Sequence, residues 1–233
     1  MSTHRLHIPR VGRFGHGWPR LAVLHLLTRG VLGSTALVIG AGSLYGVLQG
    51  WASFDATGDW GDFEILKQFG MVQAIPALIA AVIGVSAWSP FGEYERTAAR
   101  SMPRLRLLHI GILLALGLGV SAAYLTLWTS RTPEVDLALI ATRNLLGMTG
   151  AALMLGRWAD ARISWLAPVT LAAIAVFNAM NGPPEKIWSP ALWIWNGQAP
   201  TANESWAIAM TIFVAGGALF LRDGARDASG EEE

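Results

Sequence analysis

Arg143 is the one ionisable side chain near the middle of a long apolar run, residues 137–158, and is the first candidate for chemistry. Such an arginine costs on the order of 3 kcal/mol in a membrane-spanning helix, so its position needs an explanation. It follows Asp136 by seven residues, about 10 Å along a helix and nearly on the same face. Two interpretations stay open. Arg143 either orients its helix by snorkelling or pairing with Asp136, or it lines a polar translocation path together with Asn144.

Other polar side chains lie near the predicted outer ends of the apolar runs, as Arg143 does. Gln73 and Asn178 are the main ones, and Pro76 is expected to bend the run that contains Gln73. They either form interhelical hydrogen bonds, worth about 1 kcal/mol or less each, or contact a transported ligand. The candidates for a translocation path are therefore Arg143, Asn144, Gln73 and Asn178.

Sequence motifs for catalysis, metal binding or nucleotide binding are missing. The chain has no cysteine, which excludes disulfides, thiolate metal sites and cysteine nucleophiles. There is no H-E-x-x-H, no G-x-S-x-G and no P-loop motif. Only His25 and His109 approach an apolar run, and neither is placed to bind haem inside a helical bundle. The sequence therefore predicts no catalytic residue, no metal site and no cofactor in this chain.

The elements that carry these side chains are predicted to be membrane-spanning helices. Hydrophobic residues make up 53% of the 233 residues and charged residues only 14%, compared with about a quarter charged in soluble domains. A net charge of +1 gives no indication of nucleic-acid binding. Six apolar runs are long enough to cross a bilayer, which takes about 20 helical residues, and tryptophans stand at their ends. The predicted spans are 30–51, 69–88, 107–128, 137–158, 163–180 and 205–221.

The distribution of basic residues predicts the orientation. With the N-terminus inside, 13 of the 17 Lys and Arg residues fall on the cytoplasmic side, and only Lys67, Arg131 and Lys186 fall outside. The expected fold is thus an all-α integral membrane protein with both termini in the cytoplasm, in the plasma or inner membrane of a bacterium. Residues 1–17 are predicted to be a disordered basic N-terminus, 18–222 the transmembrane domain and 223–233 a disordered tail.

Three shorter helices are predicted outside the spans, and one glycine motif lies within the first span. Residues 18–29 are amphipathic and predict a helix lying in the inner interface. Residues 89–106 are rich in arginine and predict a cytoplasmic helix, which either contacts a partner outside the membrane or is a solvated connector placed there by the positive-inside rule. Residues 189–197 predict a short outer helix anchored by Trp188, Trp193 and Trp195. Within the first span, two overlapping G-x-x-x-G steps allow close helix packing. Their glycines are Gly42, Gly46 and Gly50.

This arrangement of six spans, interfacial helix, basic loop and outer helix resembles the permease subunits of ABC-2-type transporters. The resemblance rests on residues 18–29, 89–96 and 189–197, and it is architectural. It implies a cytoplasmic coupling helix that docks on a separate P-loop ATPase, a second permease subunit, and ATP and Mg²⁺ bound only by the ATPase. It also implies that the chain is part of an exporter. The coupling residues would be Glu93, Tyr94, Glu95, Arg96 and Arg100.

Two other functions remain open. The chain could be a non-catalytic membrane subunit of another complex, such as an immunity or assembly factor. The G-x-x-x-G face would then be the surface that contacts the partner. It could also be a membrane enzyme that uses Arg143 and outer acidic residues on a lipid-linked substrate. The last is the weakest, because no nucleophile or acid–base pair is recognisable.

Overall fold

The computed structural model describes residues 61–87, 102–128, 134–181 and 192–224, together with residues 33, 35–37, 39 and 40. Every regular element in these ranges is helical. The α-helices are α1 (Gly61–Ser86), α2 (Met102–Trp128), α3 (Glu134–Trp158), α4 (Leu166–Asn181) and α5 (Asn203–Asp223). Two 3-10 helices, η1 (Ala161–Ile163) and η2 (Leu192–Gly197), precede α4 and α5 respectively.

Four helical segments in the described part are long and apolar enough to cross a membrane. They are Met102–Ala123, Leu137–Trp158, Ala161–Ala179 and Asn203–Asp223, and they match the last four predicted spans. The second predicted span lies in α1, where Val72–Ser86 is a shorter apolar helix, and the described part of the first is helical. The predicted all-helical fold is therefore confirmed for the described part of the chain, whose apolar helices are compatible with a multi-pass membrane protein.

Helix α3 is the centre of the bundle. In the apolar stretch of its candidate membrane span, 61% is buried within the protein, compared with 39% or less in the other three candidate spans. Two glycines make one of its packing faces possible. A Cβ atom on Gly150 would collide with the α5 backbone at Ile212, and one on Gly216 of α5 would collide with the backbone of Gly150. Because glycine has no side chain, the backbones of α3 and α5 lie in direct contact at these two positions.

The other helices pack around α3 and expose apolar side chains outward. Leu145 and Met148 of α3 form the core with residues of α1, among them Ile79. On the outside of the bundle, Leu107 is 58% exposed and Val214 is 61% exposed. Such exposure suits a bilayer, because lipid tails are as apolar as leucine.

The segment before α5 differs from its prediction in one respect. The helix predicted over residues 189–197 is present in its described part as η2, which is interrupted at Ile194 by non-helical angles (φ −104°, ψ 46°). The interpretation of Trp195 as an anchor in the membrane interface is wrong. Its side chain is 3% exposed, and its ring occupies the space above Gly147 of α3. The segment is thus packed into the bundle.

Several predicted features lie outside the described residues. The coupling residues Glu93, Tyr94, Glu95, Arg96 and Arg100 are among them, as are Gly42, Gly46 and Gly50. The interfacial helix over 18–29, the N-terminus 1–17 and residues 225–233 are outside as well.

Candidate functional site

Arg143 is fully buried in α3, and all five of its N–H groups donate hydrogen bonds. Its Nη1 donates to Ser205 Oγ (2.7 Å) and to the carbonyl of Ala199 (3.1 Å). Its Nη2 donates to the carbonyls of Gln198 (2.9 Å) and Asn196 (3.2 Å), and Nε donates to Asn144 Oδ1 (3.4 Å). None of these five acceptors is a carboxylate. The guanidinium is therefore solvated by neutral oxygens, four of which belong to the segment from η2 to the start of α5.

Asn196 in η2 is the centre of the polar contacts around Arg143. Its carbonyl accepts hydrogen bonds from Gln73 Nε2 (2.7 Å), Asn144 Nδ2 (3.1 Å) and Arg143. Its side-chain amide donates to Gln73 Oε1 (3.0 Å) and to the carbonyl of Leu171 in α4 (2.9 Å). One residue thereby joins α1, α3 and α4. We call Gln73, Arg143, Asn144, Asn196 and Ser205 the Arg143 cluster.

Asn144 also donates a hydrogen bond to a backbone carbonyl of α1 that has no donor within its own helix. Pro76 lies inside α1 and has no N–H, so the carbonyl of Val72, four residues earlier, lacks its normal helical donor. Asn144 Nδ2 donates to this carbonyl at 2.9 Å. The proline in one helix and the asparagine in another are thus a matched pair.

Replacing Asn144 with leucine should destabilise the fold by about 1–3 kcal/mol, the cost of leaving a buried carbonyl without a donor. The double variant Pro76→Ala/Asn144→Leu should recover part of this loss, because alanine restores the missing N–H to α1. Unfolding in mixed micelles of increasing denaturing detergent measures both free energies. Equal stability of the single and double variants would contradict the pairing of Pro76 with Asn144.

The structure brings together three of the four path candidates. Arg143, Asn144 and Gln73 are in the Arg143 cluster, whereas Asn178 is half-buried in α4 and is not part of it. The side chain of Asp136 lies outside the described part. The cluster also contains Asn196, which the sequence indicated only as a helix cap, and Ser205, seen only as the start of a span. A buried arginine needs several oxygen partners, and that requirement is the one signal that could have pointed to them.

A second group of contacts lies at the other end of the bundle, where Arg106 of α2 meets the last turn of α5. Arg106 is 6% exposed, and its Nη1 lies 3.3 Å from the Leu221 carbonyl and 3.5 Å from the Phe220 carbonyl. Its guanidinium carbon is 5.9 Å from the centre of the Phe220 ring. Cations are favourable at a helix C-terminus, because the last carbonyls carry partial negative charge. We call these residues, with Gly224, the helix-end clamp.

Gly224 makes room for the helix-end clamp. It ends α5 with φ 78°, a left-handed conformation that glycine adopts without steric cost. A Cβ atom there would lie 2.6 Å from Arg106 Nη2 and 2.9 Å from its Cζ. Glycine is therefore required at this position both by the backbone conformation and by the close approach of the guanidinium.

Two further contacts join helices near the helix-end clamp. Arg157 Nε of α3 lies 3.3 Å from Asp223 Oδ2 of α5, a half-exposed ion pair worth about 1 kcal/mol or less. Ser86 Oγ of α1 and His109 Nε2 of α2 lie 3.1 Å apart in a buried position. Arg157 follows Arg143 by 14 residues, about 21 Å along α3. The bundle thus has polar contacts between helices at both ends, with the main apolar core between them.

In both sites a buried guanidinium donates hydrogen bonds to neutral oxygens. Within the described part of the chain, no group of three His, Cys, Asp or Glu residues could hold a metal ion. Comparison of the chain with protein-family models, with curated proteins and with solved structures finds no match in any of the three. Function is therefore inferred from the residues and contacts of this chain alone.

Proposed function

We propose that the chain is the permease subunit of an ABC-2-type exporter in a bacterial plasma membrane. Six spans cross the membrane with both termini in the cytoplasm, and two permease subunits enclose the path. A separate P-loop ATPase binds ATP and Mg²⁺ and docks on residues 89–101. The permease itself carries no catalytic residue and no cofactor. The observation that supports this proposal best is the position of the helix-end clamp.

In the sequence, Arg106 of the helix-end clamp follows the proposed docking segment closely. α2 begins at Met102, and Arg106 follows one helical turn later, where it contacts the end of α5. A force on residues 89–101 would therefore reach α5 through a buried guanidinium as well as through α2 itself. Rigid helices joined by a specific polar contact can carry energetic coupling between distant sites. This is the property that a coupling helix requires.

The Arg143 cluster has a complementary role in this proposal. Its hydrogen bonds hold the segment between η2 and α5 against α1, α3 and α4. In the proposed orientation, this segment covers the outer face between these helices. Arg143 and Asn144 then act as structural ties of a closed outer wall. In this proposal the transport path opens between the two permease subunits.

Co-expression with a candidate P-loop ATPase, for instance one encoded by an adjacent reading frame, tests the proposal. We expect the ATPase to co-purify with the permease. The double variant Glu93→Ala/Arg96→Ala should reduce the bound ATPase at least about tenfold, which corresponds to about 1.4 kcal/mol of lost contact energy. Arg131→Ala, which removes a charge on the predicted opposite side of the membrane, is the control and should bind normally.

Two results would contradict the proposal. One is unchanged ATPase binding by the double variant, which would remove the coupling assignment. The other is stable isolation of the chain alone with a cellular function that does not depend on nucleotide. That outcome would favour the alternative, a non-catalytic subunit of another complex such as an immunity or assembly factor.

A further inference from the structure

An open apolar groove runs along the outward face of α2. It has a volume of about 530 Å³ and is lined by Ile112, Ala115, Leu116, Gly119, Val120 and Ala123. A Cβ atom on Gly119 would have no neighbour within 4 Å, so the groove has open space at this position. From Ile112 to Ala123 the groove covers 11 helical steps, about 16 Å. One leaflet of a hydrocarbon core about 30 Å thick has nearly the same depth.

A positive charge stands at one end of the same helical face. Arg104 precedes Ile112 by eight residues, about 12 Å, and Leu108 continues the face between them at four-residue steps. Arg104 is exposed, and its side chain has no ion-pair or hydrogen-bond partner in the described part of the chain. It thus differs from Arg106, whose guanidinium is turned inward to α5.

We propose that this face of α2 binds an anionic phospholipid. The phosphate pairs with Arg104, the first part of the lipid crosses Leu108, and one acyl chain lies in the groove at Gly119. Charge complementarity selects an anionic lipid, because a guanidinium pairs with a phosphate oxygen pair and is unfavourable beside a choline cation. The inner leaflet is the source of this lipid if residues 89–106 are cytoplasmic, a placement that rests on the proposed orientation. The site itself does not depend on transport activity.

Lipid retention by the full chain tests the proposal. The chain is reconstituted in nanodiscs of equimolar phosphatidylglycerol and phosphatidylcholine, and the lipids that remain bound are counted by native mass spectrometry. We expect about a fivefold excess of phosphatidylglycerol on the wild type, the effect of one basic side chain at an anionic membrane surface. Arg104→Gln should abolish the excess, and Gly119→Leu should remove the retained lipid by filling the groove.

The chain offers a matched control for each variant. Arg222→Gln removes an arginine whose side chain is 84% exposed at the end of another helix, and Gly217→Leu adds a side chain where a Cβ atom also meets open space. Both controls should retain lipid like the wild type. An unchanged excess in Arg104→Gln would overturn the proposal, and so would an equal loss in Arg222→Gln, which would indicate general surface charge.

A second copy of the chain is the competing occupant of the groove. Because the chain has no cysteine, Ala115→Cys introduces a single thiol on the groove. A high yield of disulfide-linked dimers in nanodiscs would show protein in the groove and would overturn the lipid site. Monomers with retained phosphatidylglycerol support it. Neither outcome depends on an ATPase, so failure of the lipid site is distinct from failure of the proposed permease function.

Discussion

Arg143→Leu should lower the free energy of unfolding by about 3 kcal/mol or more, because it removes the charged donor of five hydrogen bonds and a hydrogen bond to a charged group contributes about 1.5–3 kcal/mol. Ser205 and the carbonyls of Asn196, Gln198 and Ala199 all lose the guanidinium. The segment between η2 and α5 should detach before the rest of the bundle, since it holds four of the five acceptors. Arg143→Lys should be nearly as unstable, because an ammonium has only three donors and no planar fork.

Detergent-induced unfolding measures the change in the free energy of unfolding of the whole chain. A single cysteine at Ala199 reports whether the segment between η2 and α5 has detached. In the otherwise cysteine-free chain, maleimide labelling of Ala199→Cys should be faster with Arg143→Leu than without it. Arg222→Leu serves as the control, because its side chain is 84% exposed and lies at the opposite end of the bundle. If Arg143→Leu kept both its stability and slow labelling while transport was lost, Arg143 would line the path and would not tie the segment.

The second large effect is expected at the helix-end clamp, where the proposed function predicts that Arg106→Gln uncouples the chain from the proposed ATPase. Glutamine cannot bring a positive charge to the end of α5, so movement of residues 89–101 would no longer be transmitted through this contact. Coupling free energies between sites are about 1–3 kcal/mol, or about 5- to 150-fold. The readout is the rate of maleimide labelling of Ala207→Cys in α5, measured with and without ATP. We expect the two rates to differ about fivefold or more with Arg106 present and to be nearly equal in Arg106→Gln.

A separate variant distinguishes this effect from loss of the fold. Gly224→Ala keeps the guanidinium but places a Cβ atom 2.6 Å from Arg106 Nη2, at a backbone φ of 78° that alanine rarely adopts. It should reduce the ATP response in the same direction. Gly217→Ala, at a position with open space, should not. A normal ATP response in both Arg106→Gln and Gly224→Ala would show that the helix-end clamp is only a structural cap.

The helices could be predicted because their signals are local. The end of α3 at Trp158 coincides with its predicted end. α2 begins at Met102, five residues before its predicted start, so residues 102–106 belong to this span and not to a separate cytoplasmic helix, because Pro103 is tolerated in the first turn of a helix. α1 begins at Gly61, eight residues before the predicted start of its span, because its first turns are polar and hydropathy does not include them. Boundaries set by helix caps and by apolar length are therefore visible in the sequence, while polar extensions of a helix are not.

The partners of the polar side chains could not be predicted in the same way. Arg143 was recognisable as an anomaly from its position in an apolar run, but the distance to Ser205 along the chain is 62 residues. Most of its acceptors are backbone carbonyls, which every residue carries and which no sequence pattern marks. Trp195 was misjudged for a related reason. A tryptophan near a span end suits the membrane interface, and only the space above Gly147 shows that this ring is buried.

The sequence by itself determined that this is a helical chain with apolar segments long enough to cross a membrane, and that a buried arginine needs compensation. These properties follow from transfer free energies, which depend on residue type and run length alone. Only the tertiary structure decided that the compensation comes from η2 and the start of α5, and that Arg106 meets the end of the last helix. Those contacts depend on which backbone groups the packed helices bring within 3 Å or so of a donor, and this is a property of their arrangement in space.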